Sequence, residues 1–166
     1  MTQPIRGANR ILLMRPYAER QNEYGTRLYF QTSHEKSSTR DSESTITKDG
    51  NIQSLSEVVV EYSLSTLMAQ GDRMRGLVEK AYLDGGLIEL WDIDKTAPRE
   101  GSTNQFPATY YQGYITEWSE TAGAEDNVEL SISIAINGSG QRDYATLTPQ
   151  QIEAVTYEFA DVPPAQ

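Results

Sequence analysis

The sequence predicts a mainly β fold of α+β type: an antiparallel β-sandwich or barrel carrying one flanking helix. Three observations predict it. Residues 127–137, NVELSISIAIN, place Val128, Leu130, Ile132, Ile134 and Ile136 on one face and only Asn, Glu, Ser and Ala on the other. EVVVEYSLSTLM (57–68) repeats that pattern, with Val58, Val60, Tyr62 and Leu64 against Glu57, Glu61, Ser63 and Ser65, Val59 being the exception. A helical period is clear at one place only, residues 71–86, so strands follow strands without the crossover helices of a βαβ unit.

The elements follow in order. Residues 1–25 read as an N-terminal arm with a short apolar anchor at 11–14, punctuated by Arg15-Pro16 and Tyr24-Gly25. TRLYFQT (26–32) alternates as a short strand. Residues 33–54 are almost free of apolar side chains and rich in Ser, Thr and charge, and read as a long polar loop whose Asp49-Gly50-Asn51 turn returns it as a hairpin arm. After the strand at 57–68, Met74, Leu77, Val78, Ala81 and Tyr82 form one helical stripe. Asp72 is placed to cap this helix (about 72–84) and Gly85-Gly86 to end it. LIELWDID (87–94) and TYYQGYITEWS (109–119) are strands, separated by a proline-bearing loop at 96–108. ETAGAEDN (120–127) is an acidic loop, and Asn137-Gly138 with Gly140 turns the chain. TPQQ (148–151) resembles a first helical turn, AVTYEF (154–159) a closing strand, and 161–166 a tail. The domain therefore spans 26–160, between two arms.

The 166 residues suit one domain, and the absence of cysteine excludes disulfides, thiolate catalysis and Cys-based zinc sites. No segment reads as a signal peptide, and none approaches the roughly 18 apolar residues of a membrane span. A soluble protein made in a reducing cytoplasm is expected. The net charge of −10 is uneven: residues 1–83 carry 11 Lys/Arg against 10 Asp/Glu, and residues 84–166 carry 3 against 14. Tight nucleic-acid binding needs the opposite sign.

No catalytic constellation emerges, and neither an enzyme nor a cofactor is expected. His34, the single histidine, lies in the most polar segment and reads as a solvated loop residue. Asp92-x-Asp94 offers half a cation site at most and reads as an exposed strand end; Glu125-Asp126 read as unpaired loop carboxylates. NGSGQ (137–141) lacks the Lys-Ser/Thr ending of a phosphate loop. Tyr110, Tyr114 and Trp118 fall on one face with Gln112 and Thr116, which suits a core or subunit contact, or a sugar-binding platform.

From Gly50 onward the order of motifs is more informative than any one of them. GNIQSLSEVVVEYSLSTLMAQGD, the helix RMRGLVEKAYLDGG, LIELWDID, YYQGYITEWSETAGAEDNVELSISIAINGSGQ and ATLTPQQIEAVTYEF follow one another. This series, covering roughly 26–160, resembles the major tail proteins, or tail-tube proteins, of long-tailed non-contractile phages of Gram-positive bacteria, of the lactococcal-phage type. The resemblance implies a β-sandwich-like core with a flanking helix. It implies hexameric rings whose inner strands join into one barrel, stacked into a virion tube that carries double-stranded DNA into the host. It implies a tape measure protein in the lumen during assembly, tail-tip and tail-terminator partners, and no membrane partner.

On that reading Glu57, Glu61, Ser63, Ser65, Glu129, Ser131 and Ser133 are expected to face the lumen, with Thr156 and Glu158 as weaker candidates. A wall of carboxylates and hydroxyls repels DNA and lets it slide, where a lysine-rich wall would hold it. The arm, with Lys36, Arg40, Asp41, Lys48, Asp49 and Gly50, is expected to stack rings, its cations meeting the acidic loop 120–126 of the next ring. Two other readings stay open: the tube of a contractile or secretion system, and a carbohydrate-binding or adhesin sandwich.

Overall fold

A computed structural model describes residues 2–28 and 30–149. Their strands are β1 (Arg10–Pro16), β2 (Gln31–Thr39), β3 (Ser42–Thr47), β4 (Gly50–Leu55), β5 (Val59–Leu67), β6 (Ile88–Asp94), β7 (Gln105–Thr121) and β8 (Glu129–Thr146), with one helix, α1 (Arg73–Asp84). Six strands form one antiparallel sheet in the order β1-β6-β7-β8-β5-β2, and β3-β4 form a separate hairpin. The mainly β class, the antiparallel pairing and the single helix agree with the alternation and period of the sequence. The strand expected at 154–159, with Thr156 and Glu158, and the tail at 161–166 lie outside the described residues.

The sheet curls about one apolar face. Val60, Tyr62 and Leu64 of β5, Leu130, Ile132 and Ile134 of β8, Ile88 and Leu90 of β6, and Tyr111 and Ile115 of β7 are buried there. The helix lays Met74 and Val78 onto this core, with Leu77, Ala81 and Tyr82 beside them. Its ends are those the sequence marks: the Asp72 side chain accepts from the Arg75 N–H, and Gly85 takes a left-handed φ of 71°. The curl brings the edge strands β1 and β2 together at one point. The Gln31 side-chain amide donates to the Leu12 carbonyl and accepts from the Leu12 N–H, both at 3.3 Å. A single side chain thus stands in for a backbone bridge across the seam of an open barrel.

Several segments differ from expectation. The arm at 1–25 contains β1, whose residues 11–14 are all buried; apolar side chains on both faces mark a strand covered on two sides. The expected strand at 26–32 is not continuous. Thr26 makes one bridge to Met14, Phe30 sits at φ 55° and is exposed, and β2 begins at Gln31. Residues 33–39, expected as loop, form most of β2: an edge strand needs backbone pairing with β5 more than apolar side chains. The hairpin arm is therefore confined to 42–55, rooted where the Ser56 N–H donates to the Asp41 carbonyl. Asn137-Gly138 and Gly140 do not turn the chain back. Residues 138–140 bulge out opposite the single residue Tyr111, at φ 70° and 86° for the two glycines, and β8 runs on to Thr146.

Candidate functional site

The outward face of β2, β5, β8 and β7 is built from small polar and acidic side chains in register. One row crosses Glu35, Ser63, Ser133 and Glu117; the next crosses Ser33, Ser65, Ser131 and Ser119; a third crosses Ser37, Glu61, Ala135 and Tyr114. Glu129 and Thr121 continue beyond them, and exposed Glu57 just precedes β5. None of these positions is lysine or arginine. The expected residues on β5 and β8 thus belong to one continuous surface, because the strands pair with Ser63 opposite Ser133 and Ser65 opposite Ser131. Period 2 alternation puts the core residues Tyr62, Leu64, Ile132 and Ile134 on the reverse side.

Sequence reasoning missed Ser33, Glu35, Ser37, Glu117 and Ser119. The first three sit in the segment read as loop. The last two are hidden by a β-bulge between Ile115 and Glu117, where Thr116 is the extra residue. The same bulge breaks the aromatic face expected at Tyr110, Tyr114 and Trp118. Trp118 turns to the core and stacks on Tyr82 of α1 at 6.0 Å between centroids, while Tyr114 is exposed on the opposite face. Tyr110 tilts against Trp91 and donates to Glu89, which also pairs with Arg15 at 3.0 Å. The sugar platform is not assembled.

Among the described residues, two backbone edges next to this surface are open. β6 pairs with β7 only up to Gly113, so among these residues 114–121 are paired on the β8 side alone. Residues 33–39 of β2 are likewise paired, among the described residues, with β5 alone. Three antiparallel steps separate the two strands, so β2 and β7 run in opposite directions.

A polar cluster lies under the same strands. Asp92, expected at an exposed strand end, is buried: it pairs with Arg10, accepts from the Tyr62 hydroxyl at 2.8 Å and faces His34 Nε2 at 3.5 Å. Burial alone would raise the Asp92 pKa, but His34, Tyr62 and Arg10 outweigh it and hold the carboxyl below its usual value. Burial and the nearby Tyr111 and Asp92 push the Tyr62 hydroxyl far upward, so it stays a donor. His34 is not a solvated loop residue. β2 carries it to the core side opposite Leu64, where its side chain is 9% exposed. Lys36, expected in the stacking arm, lies on β2 with its ammonium 5.4 Å from the Tyr111 ring centre. Arg40 and Asp41 are at the root of the hairpin, Lys48 and Asp49 at its exposed tip, and Gly50 opens β4 at φ 124°.

Residues 4–142 match the family described as phage tail tube protein. The chain belongs to this family. It is a structural component of the virion tail. A tail protein of Staphylococcus phage phiMR25 is 29% identical over 157 residues, covering 92% of this chain and 80% of that protein. The tail tube protein gp17.1* of Bacillus phage SPP1 is 26% identical over 133 residues, 78% of this chain but only 49% of that longer protein. The solved SPP1 tail tube superposes with a TM-score of 0.74 at 21% identity, covering 95% of this chain and 91% of that one. The tail of a gene transfer agent particle, solved with C6 symmetry, gives 0.60 at 11% identity over 89% of this chain and 100% of that one. These likenesses establish the fold.

Proposed function

We propose that this tail tube protein closes into six-membered rings by pairing the free edge of β2 with residues 114–121 of β7 in the next copy, and that the cation-free face of β2, β5, β8 and β7 lines the lumen. In a ring of identically oriented copies the two edges meet antiparallel, and the four strands of each copy continue into one closed barrel. The sixfold symmetry belongs to the gene transfer agent tail and supports the same number here.

The observation that carries the reading is the composition of one continuous face. Glu35, Glu61, Glu117 and Glu129 repel a polyanion, and the serines between them are too small to obstruct it. Rings stacked through the hairpin form the conduit for double-stranded DNA, which passes without specific binding. A tape measure protein occupies the lumen during assembly, and tail-tip and terminator proteins close the ends. The dispersal of Tyr110, Tyr114 and Trp118 removes the surface an adhesin reading needs. The family match favours a phage tail over a secretion or contractile tube. The test is Glu61→Lys with Glu129→Lys in an infecting phage: tails of normal length are expected, with DNA delivery reduced at least tenfold. Normal delivery from such tails would refute the lumen assignment.

A further inference from the structure

Where β1 and β2 meet, the Gln31 amide bridges their edges, and a cleft of about 640 Å³ opens beside it. Arg10, Arg27 and His34 line this cleft together with Gln31 and the hydroxyl-bearing Thr32 and Ser33. Among the described residues no carboxylate stands in its wall, although the chain as a whole carries a net charge of −10.

The positive groups differ in how they are matched. Arg10 pairs with Asp92, which also faces His34 Nε2 at 3.5 Å. Arg27 and Lys95 have no such match: both are half-buried, and among the described residues neither forms an ion pair. Lys95 is held beside the cleft by its own N–H, which donates to the Asn9 carbonyl at 2.7 Å, next to the lining residues Gly7 and Ala8. Burial and the neighbouring Arg27 push the Lys95 ammonium below its usual pKa, the reverse of what a paired lysine shows. Two like charges are thus held together against desolvation and mutual repulsion, with no counter-charge from the described residues.

We infer that this seam cleft is a binding site for a phosphate dianion, free or as the terminal group of a nucleotide. Two unmatched cations call for a ligand charge of −2. Arg27 supplies a guanidinium fork suited to two phosphate oxygens, Lys95 a point charge and Ser33 a hydroxyl donor. Arg27 precedes β2 and Lys95 follows β6, so an ion held between them ties together segments on either side of the seam. The site is complete in one copy and does not depend on tube formation.

The test titrates inorganic phosphate into the purified full chain at neutral pH and constant ionic strength, followed by thermal denaturation and by the Arg27 side-chain N–H signal in NMR. A saturable rise in Tm is expected, about 5–10 °C at a hundredfold excess over Kd, with the Arg27 signal shifting in step. Arg27→Gln with Lys95→Gln removes the repulsion and touches no buried apolar residue, so this variant stays folded. It should keep only the small, unsaturable rise that phosphate confers by exclusion from protein surfaces. Adenosine monophosphate separates the two sources: equal saturable binding assigns the site to a nucleotide's terminal phosphate, and binding of inorganic phosphate alone assigns it to the free ion. An equal rise in Tm for wild type and variant, or an Arg27 signal that does not move with either probe, would overturn the inference.

Discussion

Asp92 and Gly113 show how much a single position carries in this fold. Asp92 is buried among Arg10, Tyr62 and His34, and Asp92→Ala would strand Arg10 and the Tyr62 hydroxyl beside an apolar gap. The expected cost is about 3 kcal/mol, a fall of roughly 6–12 °C in Tm, read by calorimetry. Because the folded carboxyl titrates below the unfolded one, the unfolded chain takes up the proton first as pH falls. The stabilisation is complete above about pH 5 and is lost as pH drops through the folded value. Asp92→Asn should therefore flatten the acid limb of stability against pH; an unchanged limb would show that other carboxylates set it. Gly113 faces the backbone of β8 so closely that an added Cβ would lie 2.2 Å from the Ala135 carbonyl oxygen. Gly113→Ala should cost about 1–3 kcal/mol or more, whereas Gly76→Ala, with open space around it in α1, should raise stability by roughly 0.5–1 kcal/mol. None of this was legible in the sequence. Asp92 reads as a strand end because its partners come from positions 10, 34 and 62, far away along the chain.

Elements were legible where period and burial agree. β5, β8 and α1 have one buried face each, so their alternation or stripe was sufficient. β2 was not, because an edge strand is held by backbone pairs to β5 and shows no apolar period. β7 was legible as a strand but not in its facing, since one bulge at Thr116 reverses every side chain after it. These corrections change the deletion that tests stacking. Removing 36–47 would take away most of β2 with part of the hairpin. Replacing 42–55 by a short turn leaves the six-stranded sheet whole. That variant should stay folded, with Tm within a few degrees of wild type, and should fail to form long tubes by electron microscopy. Long tubes from it would show that the hairpin does not stack rings.

For the whole molecule, the series of motifs from Gly50 onward was enough to predict the family, and the family match over residues 4–142 bears that out. The sequence also showed two strands with small, acidic outward faces, but not that they adjoin. Register made them one surface, added Glu35 and Glu117, and left it without a cation. The account's central claim is that this surface faces inward in an assembled tube. The most direct measurement is a cryo-electron microscopy reconstruction of tubes grown from the purified wild-type chain. The account predicts rings closed through β2 and β7, with Glu61, Ser63, Ser131 and Glu129 at the smallest radius. A tube with those residues on its outer wall, or rings joined through other strands, would contradict it.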